Sequence, residues 1–491
     1  STPKPSSAAS DVYKRQVGTL TAWFVVRYSF TGSSWLQWAL LMPLAIPGYV
    51  GAYALVDLLE YAGPVQSTLR DVFGWSSSQD YWFPEIRSFG AAVFVLSLAL
   101  YPYVYLLTRV AFRDQASSVE EVARSLGASS YKRLFKINFP LARPAIAAGV
   151  AIVMMETVND FGTVDYFAVQ TLTTGIFSVW LQSSNVGGAA QLACVVLAMI
   201  ILLVSLEKLS RRKMQFFNMS SKHNKVTKIK LKGFSNLVAF SCCFVPFLLG
   251  FALPLIVLAE HSMSNPKLFL DRALIDATWN TVFTGTIAAA FTVFLSIFMV
   301  FGMKSIKGRL PKITMPITTI GYAVPGAVLG VGILIPLAAL DNGMADAIYY
   351  ITQMDIGLIF TGTSFAIILA YIVRFFAIGQ GATEAALGRI SPNLEHAARS
   401  LGKSRSSVLN RIHLPIIKGS LGSAMLLVFV DCVKELPATL LLRPFNFNTL
   451  STRVHEQASL EDLVNAAPAA IYISLVGLCA VVLLAKANKL D

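Results

Sequence analysis

Glu156 and Asp160 stand four residues apart in one apolar stretch, and Asp431 and Glu435 repeat that spacing in another, 275 positions further on. Asp165 follows the first pair and Lys434 sits inside the second. A charge in hydrocarbon costs about 2.5–3.5 kcal/mol on insertion scales, so each of these groups needs a partner or a task. Residues four apart share a helix face, where two carboxylates could line a water-filled path for a polar solute. The competing task is structural, with Lys434 paired to a nearby acid so that helices are locked together. Both readings stay open at this point.

Other chemistry is thinly represented. His261 and His455 fall near the ends of apolar runs without clustered partners, and they read as solvated side chains. Cys194, Cys242, Cys243, Cys432 and Cys479 lie in apolar segments with no ligand spacing, as small buried hydrophobes do. No Gly-x-x-x-x-Gly-Lys-Ser/Thr loop occurs to cradle nucleotide phosphates, and neither a nucleophile elbow nor a zinc signature is present. The expectation is a non-enzymatic chain that binds no cofactor itself. Its energy must come from a separate subunit or an ion gradient, and these residues name no metal.

The elements that position the acids are membrane helices. Of 491 residues, 55% are hydrophobic and 14% charged, with a mean hydropathy of +0.62. Soluble domains carry about a quarter charged residues. Apolar runs near 17–27, 36–57, 87–108, 145–166 and 188–206 are followed by runs near 236–259, 278–301, 314–340, 357–378, 418–440 and 468–486. Most are about 20 residues, the length that spans a bilayer core. The fold class is an all-α polytopic membrane protein of two repeated six-helix halves, the first lacking its front. Residues 1–16 read as a non-native leader, 17–206 as the truncated first half, 207–235 as a basic linker and 236–491 as the second half.

The net charge of +13 follows topology, which argues against nucleic acid as a partner. Lys208 to Lys232 holds nine Lys or Arg and no acid, as a cytoplasmic linker that can also touch anionic lipid. Arg109 to Pro144 has seven bases against three acids. Leu58 to Glu85 and Asp341 to Asp355 are acidic and fall outside by the same rule. Arg374 ends its run on the inner side, where a long side chain snorkels to the interface.

One inner loop occurs twice. Glu120 to Pro140 reads EEVARSLGASSYKRLFKINFP and Glu395 to Pro415 reads EHAARSLGKSRSSVLNRIHLP, with 10 of 21 positions identical. Ala123 and Leu126 share one face of a short helix, as do Ala398 and Leu401. Gly127 and Gly402 stop that helix at a position suited to positive φ, and Pro140 and Pro415 are expected to close a second amphipathic helix. A single such loop could simply lie on the bilayer. Two copies with one pattern favour docking into the groove of a two-fold partner.

The pattern Glu-x-x-Ala-x-x-x-Gly with Ile-x-x-Pro after a fixed gap resembles the EAA loop of ABC importer permeases, the binding-protein-dependent inner membrane components. The positions that carry it are Glu120, Ala123, Gly127, Ile137 and Pro140, then Glu395, Ala398, Gly402, Ile412 and Pro415. The first copy departs at Val122, where the second has Ala397. Asp160 to Trp180 and Lys434 to Val454 are similar to segments of fused ferric iron permeases, as are WALLMPLAIPGYVGAYALVDLLEYAGPVQ and PGAVLGVGILIPL. The resemblance implies two type I transmembrane halves in the bacterial inner membrane, with motif loops and linker in the cytoplasm. It also implies two copies of an ABC ATPase that use ATP and Mg, coupled through the loop residues above with Leu126 and Leu401, and a periplasmic binding protein that hands over ferric iron. Glu156, Asp160, Asp431, Lys434 and Glu435 are then the candidate translocation path. Thiamine or another small solute remains an alternative cargo. A secondary transporter would share the repeats and the charges but has no need of two matched docking helices.

Overall fold

The computed structural model describes residues 6–114, 123, 125–212, 228–304, 306, 308–354 and 357–487. In lipid an apolar run satisfies its backbone groups internally, which makes helices the dominant element. The principal ones are α1 (Ser6–Arg27), α2 (Gly48–Leu59), α3 (Phe89–Asp114), α4 (Phe139–Asn159), α5 (Val186–Arg212) and α6 (Phe234–Phe247). They continue with α7 (Leu253–Ser264), α8 (Arg272–Lys304), α9 (Gly326–Thr352), α10 (Phe365–Gly388), α11 (Leu414–Lys434) and α12 (Leu463–Ala487). Among the described residues nine helices are long and apolar enough to cross a membrane, or ten if Ser33–Ala45 and Gly48–Phe73, bent by 94°, form one span. Among the described residues the sheet content is one two-residue parallel pair, Tyr28–Ser29 with Ile229–Lys230, in which Tyr28 faces Ile229.

The chain divides into two compact units. The first comprises Ser1–Thr174, Ala198–Pro266 and His455–Asp491, and the second Gly175–Leu197 and Lys267–Val454. In the first, α1, α3 and α4 pack on one another; in the second, α8, α10 and α11 do the same. Small residues let these helices approach closely, which is how helices associate where lipid offers no hydrophobic drive. Gly18 of α1 meets Val104 and the Tyr101 carbonyl of α3, and Gly149 of α4 meets Val104 from another side. In the second unit Gly285 lies against Phe429 and Gly379 against Thr292. The first core gathers Leu55, Val56, Val95 and Phe167, and the second Val293, Leu387, Ile417 and Leu421. The first unit also takes in α7, which packs on α2, and α12, which packs on α7 and on the turn Met42–Ala45.

Several expected boundaries move. The run expected at 314–340 is broken into Leu310–Thr318, Ile320–Ala323 and α9, and the break ahead of α9 falls where the residue before a proline avoids helical backbone. Val324 is extended, at φ −76° and ψ 129°, ahead of Pro325, and Ile46 is extended, at φ −101° and ψ 123°, ahead of Pro47 and α2. α9 then runs on to Thr352, so Asp341, expected in an outer loop, is buried on a helix. Its carboxylate accepts from the backbone N–H groups of Ile359, Phe360 and Thr361 and from the Thr361 hydroxyl, at 2.7–3.1 Å. Arg374 corrects another expectation. It sits in the middle of α10 rather than at an end, donates to the Val324 carbonyl at 3.1 Å and has Nη1 3.7 Å from Glu435 Oε1. A buried acid and a bared carbonyl, rather than the interface, meet its charge.

Candidate functional site

Each unit carries one copy of the repeated loop, and the described part of both copies is built alike. In the second copy, Pro392–Ser400 is a helix whose first turn is capped by the Ser391 hydroxyl, accepting from Asn393 N–H. At its other end Gly402 N–H donates to Arg399 O at 2.9 Å and Lys403 N–H to Ala398 O at 3.1 Å. That pair of bonds defines a Schellman cap, which requires the left-handed backbone found at Gly402, φ +76°. In the first copy Ala128 N–H donates to Ala123 O at 3.0 Å and Gly127 has the same φ of +76°. Glu120 lies outside the described residues. Ala123 and Ala398 are buried, while Leu126 and Leu401 are 80% and 79% exposed and Glu395 is half-buried. Each cap thus turns a small side chain inward and holds a leucine out.

Beneath the caps the two copies differ. In the first, buried Arg133 donates from Nη1 to the Ala128 carbonyl at 2.6 Å, Asn138 Nδ2 donates to Arg133 O at 3.0 Å, and buried Arg27 donates from Nη2 to Asn138 Oδ1 at 3.2 Å. A polar strut therefore runs from the cap to the end of α1. In the second copy the positions of Arg133 and Asn138 hold Val408 and His413, both buried. The His413 ring rests on Phe301 at 5.8 Å, and its Nδ1 is buried without a hydrogen bond.

The rest of the motif departs from expectation. Pro140 and Pro415 do not close a separate helix. Ser130–Arg133 passes through a wide π turn, Leu134–Asn138, straight into α4, and Arg405–Val408 passes through Leu409–His413 into α11. Ile137 and Ile412 lie within those turns, and each proline sits in the first turn of the helix that follows. The wider ring removes the clash that a proline would make with the carbonyl four residues back. The boundaries of Arg405–Val408, Leu409–His413 and α11 each fall 275 positions after those of Ser130–Arg133, Leu134–Asn138 and α4.

At the far ends of α4 and α11 lie the paired acids. Asp160 is extended just after α4, accepting from Thr163 N–H at 3.0 Å, Val164 N–H at 3.1 Å and the Thr163 hydroxyl at 2.8 Å. Glu435, buried and extended just after α11, accepts from Ala438 N–H at 3.2 Å, and its Oε2 is buried without a hydrogen bond. Each acid also faces the glycine that opens a broken span. A Cβ on Gly48 would stand 3.6 Å from Asp160 Oδ2, and one on Gly326 would collide with Glu435 Oε1. The Pro47-Gly48 and Pro325-Gly326 pairs fall inside the runs expected, unbroken, at 36–57 and 314–340. Glu156, Asp431 and Lys434 are half-buried on α4 and α11, with Lys434 one turn beyond Asp431, and Asp165 is exposed in the short helix Gly162–Tyr166.

Neither histidine is simply solvated. His261 Nε2 lies 2.7 Å from Asp57 Oδ2, and His455 Nδ1 lies 3.1 Å from the Tyr53 hydroxyl. These partners come from 204 and 402 positions away, beyond the reach of local pattern. Nearby, Arg87 joins Glu60 at 3.0 Å and Glu461 at 2.7 Å and lies over the Tyr166 ring. Burial pushes the Tyr166 phenol up to about 12, against the pull of Arg87. Among the described residues no group of three or more His, Cys, Asp or Glu is placed to hold a metal ion.

A model of one family, the binding-protein-dependent transport system inner membrane component, matches residues 17–216 and again 299–489. This chain belongs to that family. The two matches fall on the two loop copies with their helices, so the fold is a two-half permease, multi-pass in an inner membrane. The Fe(3+)-transport system permease protein FbpB 2 of Haemophilus influenzae is 26% identical over 476 residues, covering 96% of this chain and 86% of that protein. The putative ferric transport system permease protein FbpB 1 of the same organism is 26% identical over 84% of this chain, which spans 64% of its length. The molybdenum transport system permease protein ModB of Escherichia coli is 27% identical over 42% of this chain and 91% of its own length, one half of this permease.

Proposed function

We propose that this chain is the membrane-spanning permease of an ATP-driven importer of ferric iron. A binding protein delivers the iron on the outer side, and two separate ATPase subunits dock on the two loops in the cytoplasm and use ATP with Mg. The observation that supports docking is the pair of matched caps, each holding an exposed leucine beside a glycine at φ +76°. The names of the two relatives that match most of this chain support ferric iron as the cargo. Residues 17–206 and 236–491 serve as the two halves and 207–235 as the linker.

The coupling runs along single helices. Because the π turns make loop and span continuous, a push on either cap travels down α4 or α11, about 30 Å at 1.5 Å per residue. At the far end Asp160 and Glu435 clasp the breaks before α2 and α9, so displacement of either helix loosens the start of a second span. Glu156, Asp431 and Lys434 line the path that this movement opens and closes, the switch being a two-state element biased by ATP.

The test is uptake of radioactive ferric iron by cells that lack their own ferric importer and carry this permease with its ATPase and binding protein, with unlabelled thiamine as competitor. Uptake that requires the ATPase and ignores thiamine is expected. Absence of iron uptake while the ATPase still co-purifies would discard the metal and keep the permease.

A further inference from the structure

We propose that Tyr53 and His455 form a site in the first unit where ferric iron binds in transit. The proposal rests on ferric iron being the cargo. The Tyr53 hydroxyl and His455 Nδ1 stand 3.1 Å apart. Two cis ligands bound to one first-row metal ion at about 2.1 Å are separated by about 3 Å, so this spacing suits both donors on one ion. Phenolate oxygen is a hard donor matched to a small trivalent cation, and imidazole nitrogen binds iron readily.

The pair is held in place. Tyr53 is fully buried, its ring edge-on to Tyr166 at 4.4 Å and near Tyr49 at 5.8 Å, while the His455 ring packs on Phe161 at 5.6 Å. The site draws on α2 and on a residue far along the chain, and the His455 ring rests on Phe161 just after α4, next to Asp160, which faces the start of α2.

Two protein donors make a deliberately weak site. A transported ion must bind well enough to enter and loosely enough to leave, so most of its ligands stay water or carried chelator. Binding exchanges one proton for the metal: the Tyr53 phenol proton leaves to water, the phenolate oxygen and the Nδ1 lone pair bond iron, and two carried oxygen ligands depart. Iron stays ferric throughout.

The experiment uses the permease purified with its ATPase in lipid nanodiscs, titrated with ferric citrate and followed by visible absorption. Phenolate bound to ferric iron gives a charge-transfer band; a merely structural tyrosine–histidine bond gives none. Tyr53→Phe should abolish the band and lower iron uptake about tenfold or more, with ATPase co-purification unchanged, and His455→Gln should weaken iron binding by about 10–100-fold. Tyr101→Phe, which alters another buried phenol of the first unit, should change neither. Uptake by the parent protein without a band, or a band that survives Tyr53→Phe, overturns the site and leaves the ferric reading standing. No ferric uptake by the parent protein overturns both.

Discussion

The two loop copies present the same face outward and rest on different foundations. Both place a left-handed glycine at φ +76° in the cap, bury the alanine and expose the leucine. Under the first lies the strut Arg27–Asn138–Arg133, which ends on the cap's own Ala128 carbonyl; under the second lie Val408 and a histidine ring against Phe301. The lesson concerns what a duplicated surface must keep. Under the proposed docking, a partner that meets both loops would constrain backbone shape and the exposed side chain, and the buried supports would be free to become polar in one copy and apolar in the other.

The sharpest way to break this comparison is at the shared glycines. Valine at positive φ costs roughly 1–2 kcal/mol, and its branched side chain fits that backbone poorly. Gly127→Val and Gly402→Val together should lower ATPase co-purification and transport more than tenfold while membrane insertion persists. Each single variant should have a similar, smaller effect. A large effect in one copy and none in the other would refute the equivalence of the two caps.

One substitution at two equivalent positions should have opposite consequences for the foundations. Asn138→Leu removes the Arg27 acceptor and the bond to Arg133 O, so it should destabilise by about 1–3 kcal/mol. His413→Leu removes a buried nitrogen that has no hydrogen bond and keeps an apolar contact with Phe301, so it should be neutral or stabilise by up to about 1 kcal/mol. Thermal unfolding of the purified variants reads both. Equal losses at the two sites would mean that the supports are energetically alike.

The smallest effect belongs to the exposed leucines. Leu126→Ala and Leu401→Ala should each weaken ATPase binding by about 1 kcal/mol and leave the melting temperature unchanged. A shift in melting temperature with ATPase affinity untouched would make these leucines internal packing groups rather than contacts.

The repeat, the glycine caps and most of the spans were legible because each depends on residues close together in sequence. Gly127 with Ala123 and Leu126 needs only one helical turn to declare itself. The π turns were not legible, since Pro140 and Pro415 carry the same stop signal whether a helix ends or merely widens. Arg374 was misplaced because hydropathy ends a span at a charge, and only the fold reveals Glu435 beside it. The strut beneath the first loop joins Arg27 to Asn138 across 111 positions, and Tyr53 meets His455 across 402. No local periodicity encodes such pairs.

The place of α12 has a consequence for biogenesis. This last helix packs on the turn Met42–Ala45, and Gly477 lies so close to Ala45 that any side chain there would collide with its carbonyl. At ribosomal speeds of about 5–20 residues per second, roughly tens of seconds separate the synthesis of these two segments. Until then the early helices wait in the bilayer with one flank uncovered. An early segment of this chain is thus among the last to be covered, and a ribosome that stalls before Leu463 leaves an incomplete bundle for quality-control proteases to find.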